Sequence, residues 1–417
     1  MAYLLFTLYF VLLSWLITKS AFIHKTGISK SGLIALFTVK LLSGVLYGYL
    51  YSRPGFIQGA DTWQIYFESV KETKILLGDP IRFLASLFAN PDQLSFTGFS
   101  ESDHSYWNNL KDNLLIKAEA VMNLFSGGYY YTNVVIYSFI TFYGSITFYR
   151  TLNELYSGRK ISKIIAAFLL PSFLFWTSGF YKDGVLFLFI SLIIYHSNRW
   201  IMERNGGWKR FSIVMTSVII IFLLRNYVAF LLIPALSGWL ISATFKKGIY
   251  VFATIYLLLT LFVITSGHLH SSLNIPRIIA SWQTGFLKLP AKSAIPVEKL
   301  EPSGLGLIEN LPQALNVGFL RPYLWENKGL QYVPYAMEIA ATIVLLCVFF
   351  RYRERPTPQQ QVFFYFCLFL TGSAWILLGY TVNILGALVR YKAIFYPLVI
   401  APLICSVSES WYKIHYK

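Results

Sequence analysis

Eleven runs of apolar residues, most of them close to 20 residues long and separated by polar connections, restrict what this chain can fold into. A run of about 20 apolar residues matches the hydrocarbon thickness of a bilayer when it is helical. In hydrocarbon every backbone N–H and C=O must be satisfied within the segment, so such runs are read as helices. The expected spans are 3–18, 32–51, 129–149, 164–181, 184–197, 212–224, 227–245, 249–266, 333–350, 361–381 and 393–408. Two of them, 184–197 and 212–224, are short, and the fourth and fifth can instead form a tight helical hairpin. The expectation is an all-α polytopic membrane protein of about 11 transmembrane helices, residues 1–417 forming one integral membrane domain. The first stretch lacks a positively charged leader region and a small-residue cleavage site, so it reads as a retained span.

Charge placement sets the expected orientation. The chain carries a net charge of +16, with 56% hydrophobic and only 13% charged residues. Its lysines and arginines fall in short clusters between apolar runs, which is the footprint of membrane topology and gives no basis for a nucleic-acid role. If the amino terminus is outside, the inner connections hold Lys19, Lys25 and Lys30, then Arg150, Arg159, Lys160 and Lys163, then Arg199, Arg204, Lys209 and Arg210. Lys246, Lys247, Arg351, Arg353, Arg355, Lys413 and Lys417 complete that side. The short outer connections hold only Lys182, Arg225, Arg390 and Lys392. Short loops obey the positive-inside rule, so the amino terminus is expected outside and the carboxyl terminus inside, in the cell's inner (cytoplasmic) membrane. Two long loops, 52–128 and 267–332, then lie outside.

In the first loop, Ile81, Leu84, Ala85 and Phe88 share one helical face, as expected of an interfacial helix over 80–91. Leu114, Leu115, Ala118, Val121, Met122 and Phe125 form a second stripe, leading either back to the membrane or into a buried core. Between them, SFTGFSESDHSYWNN reads as an irregular polar loop. Lys40 is the one basic residue well inside an apolar run, where it either snorkels or is buried against a neighbouring helix.

Chemistry concentrates at the outer ends of the spans. Asp61 follows a Gly-Ala pair and precedes Trp63 and Tyr66. Such a carboxylate serves either as a general base on a sugar hydroxyl flanked by aromatic rings or as a helix N-cap. Four further outer sites carry charge beside an apolar run: Lys182 with Asp183, Arg225, Arg321 with Glu326, and Arg390 with Lys392. Converging cations would suit a phosphate or diphosphate, whereas single ones serve as lipid-headgroup anchors or pair with a local acid. Cys347, Cys367 and Cys405 lie in apolar runs without zinc spacing, and the close pair His268 and His270 lacks further ligands. No metal ligand set or cofactor is assigned, and a divalent metal stays open. No nucleotide-binding loop, dinucleotide fingerprint or serine-nucleophile elbow is present.

Two spans joined by a basic inner loop, then Arg53, Gly59, Asp61 and Tyr66, resemble the EpsG and Wzy-like polysaccharide polymerases, relatives of the GT-C membrane glycosyltransferases. WTSGFYKDG is similar to that family's polar corner between the fourth and fifth spans, and VRYKAIFYP to its late Arg-Tyr-basic-then-proline segment. Many GT-C enzymes carry the catalytic acid after the first span, whereas Asp61 follows the second. The resemblance implies an outer-face reaction on a polyprenyl-(di)phosphate-linked saccharide within membrane lipids. Asp61 would activate the acceptor hydroxyl, and Lys182, Arg225, Arg321 and Arg390 would hold the leaving group. A flippase or transporter of a lipid-linked sugar, or a lipid-linked glycan ligase, are the alternative functions.

Overall fold

A computed structural model describes residues 1–54, 60–88, 106–203, 207–245, 248–269, 274–326 and 329–408. Its elements are helices throughout, and the β-pairing among the described residues is confined to two isolated bridges, Ala294 with Ile384 and Arg353 with Val407. Gly59, most of the polar loop SFTGFSESDHSYWNN, and His270 lie outside the described residues.

The chain opens with α1 (Ala2–Lys19), a short α2 (Ala21–His24) and α3 (Lys30–Tyr51). The first long connection follows, with α4 (Asp61–Gly78), α5 (Pro80–Ala85) and α6 (Tyr106–Ser126). Then come α7 (Tyr130–Leu155), α8 (Lys160–Ile164), α9 (Pro171–Ser178) and α10 (Lys182–Glu203). The next three are α11 (Trp208–Leu224), α12 (Asn226–Ser242) and α13 (Gly248–Leu269). The second long connection holds α14 (Ile275–Lys288), α15 (Gly304–Glu309) and α16 (Leu311–Leu315). Last come α17 (Val333–Tyr352), α18 (Pro358–Thr381), α19 (Leu385–Ala393) and α20 (Tyr396–Ser406).

Among the described residues six helices, α1, α3, α10, α13, α17 and α18, are long and apolar enough to cross a membrane, and up to eight spans result if two bent pairs each count as one. That is fewer than the eleven runs read from the sequence, for local reasons. Expected span 164–181 is broken: α8 continues through a π-helical turn, Ile165–Leu169, and α9 turns away by 44°. Pro171 opens α9, and Leu170 before it is extended, the conformation a following proline imposes. Expected span 393–408 begins earlier, as α19, and bends by 54° into α20. The runs at 212–224 and 227–245 become helices of 17 residues each, α11 and α12.

At 26 residues α7 is long enough for a span but less apolar, because it is buried by protein along most of its length. Thr132, Ser138, Thr141, Ser145, Thr147 and Thr151 all lie in its buried surface. Small residues let neighbouring backbones approach inside a membrane bundle. At Gly144 a Cβ would stand 2.8 Å from the Leu188 Cα, so α7 and α10 meet backbone to backbone. Lys40 is buried, and its Nζ donates to the Thr177 carbonyl at 3.1 Å, in the last turn of α9. It pairs with a helix C-terminus and does not snorkel.

The expected apolar stripe of α6 is divided. Leu115 is buried and Leu114 and Met122 are half-buried, whereas Ala118, Val121 and Phe125 are exposed; Lys117, Glu119 and Asn123 are buried. Lys117 donates to Glu72 at 2.6 Å, and Asn123 donates to the Ser69 and Thr73 hydroxyls of α4. A polar seam inside and an apolar face outside suit a helix pair that lies against lipid. Of the expected interfacial helix, Pro80–Ala85 and the 3-10 turn Ser86–Phe88 are formed, with Ile81 and Leu84 exposed; residues 89–91 are outside the described residues.

Burial pushes the Glu119 carboxyl up to about 8, despite hydrogen bonds from Asn133 and Ser69 that pull it down. Between the ordinary carboxyl range and that value the fold holds a proton that the unfolded chain has released, so stability falls as pH rises. Glu119→Gln is therefore expected to flatten the pH dependence of thermal unfolding between pH 5 and 8, and to stabilise the protein relative to the wild type most at pH 8.

Candidate functional site

At one end of the bundle, four separate parts of the chain bring their charges together. Lys182 and Asp183, expected in the short outer connection between two spans, instead form the first turn of α10. They are 4% and 0% exposed, because only Gly179–Tyr181 separates α10 from the eight-residue α9 packed beside it. Gly184 permits this packing: a Cβ there would lie 2.5 Å from the Thr177 carbonyl oxygen and from the Tyr137 hydroxyl. Arg225 is the single residue between α11 and α12, with φ −151° and ψ 89°, so the chain leaves the helix there and resumes it at once.

Arg390 lies on α19, whose approach is fixed by the second long connection. Ile295 N donates to the Asn383 carbonyl at 2.8 Å and Leu385 N to the Ser293 carbonyl at 3.1 Å. Asp61 is the first residue of α4; Ala60 occupies the N-cap position, so the capping role is not the one Asp61 takes. A carboxylate in the first helical turn is still favoured by the helix dipole.

The Arg390 guanidinium bridges the two acids. Its Nη1 donates to Asp61 Oδ2 at 2.8 Å and its Nε to Asp183 Oδ2 at 2.9 Å. Asp183 Oδ1 faces Arg225 Nη2 at 2.8 Å. The order Asp61, Arg390, Asp183, Arg225 alternates in sign, as a network in low dielectric requires. Aromatic faces close it from the sides: Arg390 lies 3.7 Å from the Tyr181 ring centroid and Arg225 4.3 Å from that of Tyr391. Arg390 Nη2 is buried and has no hydrogen-bond partner among the described residues. Lys182 Nζ pairs with Asp112 Oδ1 of α6 at 2.5 Å.

The two carboxylates of the network differ in access. The Asp183 side chain is 1% exposed and that of Asp61 43%. Burial alone would raise the Asp61 carboxyl, but the facing Arg390 charge and hydrogen bond, with Lys182 and a Tyr181 hydrogen bond, hold it below its usual range. Asp61 is thus an ionised, reachable acceptor at neutral pH. Lys111, adjacent to Asp112, is pushed down to about 8 by burial and by Lys182 and Arg225 nearby, with Asp112 opposing.

The structure therefore joins Asp61, Lys182, Asp183, Arg225 and Arg390, and leaves the other expected residues elsewhere. Arg321 Nη1 donates to Glu326 Oε1 at 3.0 Å, and Lys392 Nζ donates to the Arg321 carbonyl at 3.1 Å. Lys392 follows Arg390 by two positions on a helix, so the two side chains point to different faces. Lys392 lies 4.9 Å from the Trp375 ring centroid, and Trp375 lines an apolar cavity of about 260 Å³ with Phe319, Leu320, Ile339, Tyr396 and Leu403. Tyr66, five residues beyond Asp61, is turned roughly 140° round α4. Its hydroxyl donates to the Gly128 carbonyl at 2.7 Å, and its ring packs edge-on against Trp63 and Tyr130.

Sequence reasoning missed Lys111 and Asp112. Their only signal is an adjacent base and acid just before the α6 stripe, which carries no hint of its partner. Among the described residues no three His, Cys, Asp or Glu side chains gather as a metal-holding group. Compared with known proteins, the chain matches no family model, no curated protein and no solved structure.

Removing one partner of a buried ion pair costs roughly 3–5 kcal/mol. Asp183→Asn leaves Arg225 and Arg390 without their shared carboxylate, so its unfolding midpoint in mild detergent is expected to fall steeply. Asp61→Asn, at a half-exposed position, is expected to cost about 1 kcal/mol or less.

Proposed function

We propose that this chain is a membrane glycosyltransferase or polysaccharide polymerase that acts on a polyprenyl-(di)phosphate-linked saccharide at the outer face of the membrane. The observation that carries the reading is the reachable, ionised Asp61 set beside Lys182, Lys111 and Arg390, which come from different parts of the chain. Glycosyl transfer from a lipid diphosphate needs an acceptor-activating carboxylate next to cations that bear the charge of the departing phosphate. Here an acceptor hydroxyl oxygen attacks the anomeric carbon of the donor sugar. The bond from that carbon to the phosphate oxygen breaks, its electron pair leaves with the lipid diphosphate, and the hydroxyl proton passes to Asp61.

The roles divide by exposure. Asp61 receives the acceptor. Lys182 and Arg390, with Lys111, face the phosphate, Arg390 through its unpartnered Nη2. Arg225 acts through Asp183 and positions Arg390. The apolar cavity beside Trp375 and Lys392 takes part of the lipid chain, with Arg321 and Glu326 bracing the turn next to it. The reading includes the finer topology: eleven spans once α7, α11, α12 and the bent pairs are counted, the amino terminus outside, in the cytoplasmic membrane. The EpsG and Wzy-like resemblance supports polymerisation over transfer of a single sugar.

The test is elongation of a purified polyprenyl-diphosphate-linked oligosaccharide by the reconstituted protein. Wild type is expected to yield longer lipid-linked glycans and Asp61→Asn to lose activity by about a hundredfold or more, at unchanged protein levels. Undiminished synthesis by Asp61→Asn removes the catalytic role of Asp61. Passage of the substrate across the liposome membrane without new glycosidic bonds makes the protein a transporter.

A further inference from the structure

The far end of α10 holds a second cluster of charge. Lys182 and His196 are separated by 14 positions, roughly 21 Å along a helix axis. There a cavity of about 290 Å³ is lined by Lys25, Arg150, His196, Arg199, Lys209 and Arg210, with Glu203 the one carboxylate in its wall.

The local acids are already committed. Glu203 takes Arg199 Nη1 at 2.9 Å and also pairs with Arg210 Nη2. Glu154 takes Arg199 Nε at 2.7 Å. Arg150 is held between two rings, 4.0 Å from the Phe22 centroid and 4.8 Å from that of Tyr195. Five cations thus line a cavity whose wall holds one carboxylate, Glu203, with Glu154 reaching Arg199 from outside it. Two nitrogens in its wall, His196 Nδ1 and Arg210 Nη1, are buried and have no hydrogen-bond partner among the described residues. Buried polar nitrogens without partners are uncommon, and each calls for a ligand, ion or water. Excess positive charge at several rigidly held nitrogens favours a compact anion with many acceptor oxygens. A phosphomonoester, with close to two negative charges and three acceptor oxygens at neutral pH, meets both requirements.

We infer that this cavity is a phosphate-binding site, separate from the Asp61 cluster and independent of the reaction assigned there. Arg150 and Arg210 supply guanidinium donors, and Lys25 and Lys209 supply mobile charge at the rim. The phosphate belongs either to the headgroup of an anionic lipid or to a soluble anion.

The full chain in phosphatidylcholine nanodiscs is titrated calorimetrically with inorganic phosphate. In parallel, protein from mixed nanodiscs is assayed for retained phosphatidic acid by native mass spectrometry. Saturable phosphate binding identifies the soluble source, and retained phosphatidic acid without phosphate binding identifies the lipid. In either case Lys209→Gln with Arg210→Gln is expected to weaken binding about tenfold or more. Lys25→Gln, at an exposed position, keeps the fold intact and is expected to weaken it severalfold. Arg351→Gln with Arg353→Gln, which removes equal charge outside the cavity, is expected to leave it unchanged. Absence of binding by both probes, or equal loss in the Arg351 and Arg353 control, overturns the site.

Discussion

The fork of Arg390 between Asp61 and Asp183 ties together parts of the chain that lie far apart in sequence. One nitrogen reaches the start of α4, another the start of α10, and Asp183 passes the connection on to Arg225 between α11 and α12. Each of these charges alone would be costly at the edge of a membrane interior. Together they neutralise one another, and the helices that carry them must arrive in register. The geometry of the site and the packing at this end of the bundle are therefore one problem with one solution.

Much of the architecture is legible in the apolar runs, because a helix that faces lipid must be apolar all round. The runs for α1, α3, α13, α17 and α18 lie within a few residues of the helices that form. Where protein replaces lipid as the neighbour, the signal fails. Helix α7 is sheathed by other helices and carries threonines and serines in place of leucines. Helix α6 buries Lys117 and Asn123 as well as Leu115 because α4 offers Ser69, Glu72 and Thr73 as partners, which no periodicity within α6 itself reveals.

The site is legible to a similar depth. Asp61, Lys182, Asp183, Arg225 and Arg390 stand out as charges at the ends of apolar runs, and they converge. The same criterion selects Arg321, Glu326 and Lys392, which form their own cluster, since a one-dimensional pattern cannot distinguish two faces of α19. Lys111 and Asp112 escape notice because they lie on a helix whose partner is set by tertiary packing. The two carboxylates also look equivalent in sequence, and only burial separates the anchoring Asp183 from the reachable Asp61.

The Arg390 bridge also bears on the order in which the protein is made. Asp61 and Asp183 are synthesised long before Arg390, which lies 329 residues after Asp61 in the chain. Until α19 is delivered, the buried Asp183 has Arg225 as its ion-pair partner and Asp61 lacks the Arg390 ion pair, with the Tyr181 hydrogen bond still beside it. Arg390 is thus the last of the four charges to be synthesised, and the bridge between Asp61 and Asp183 closes only after it. Chains that stop short of α19 lack the Arg390 charge between Asp61 and Asp183, a defect by which an incomplete molecule differs physically from a finished one.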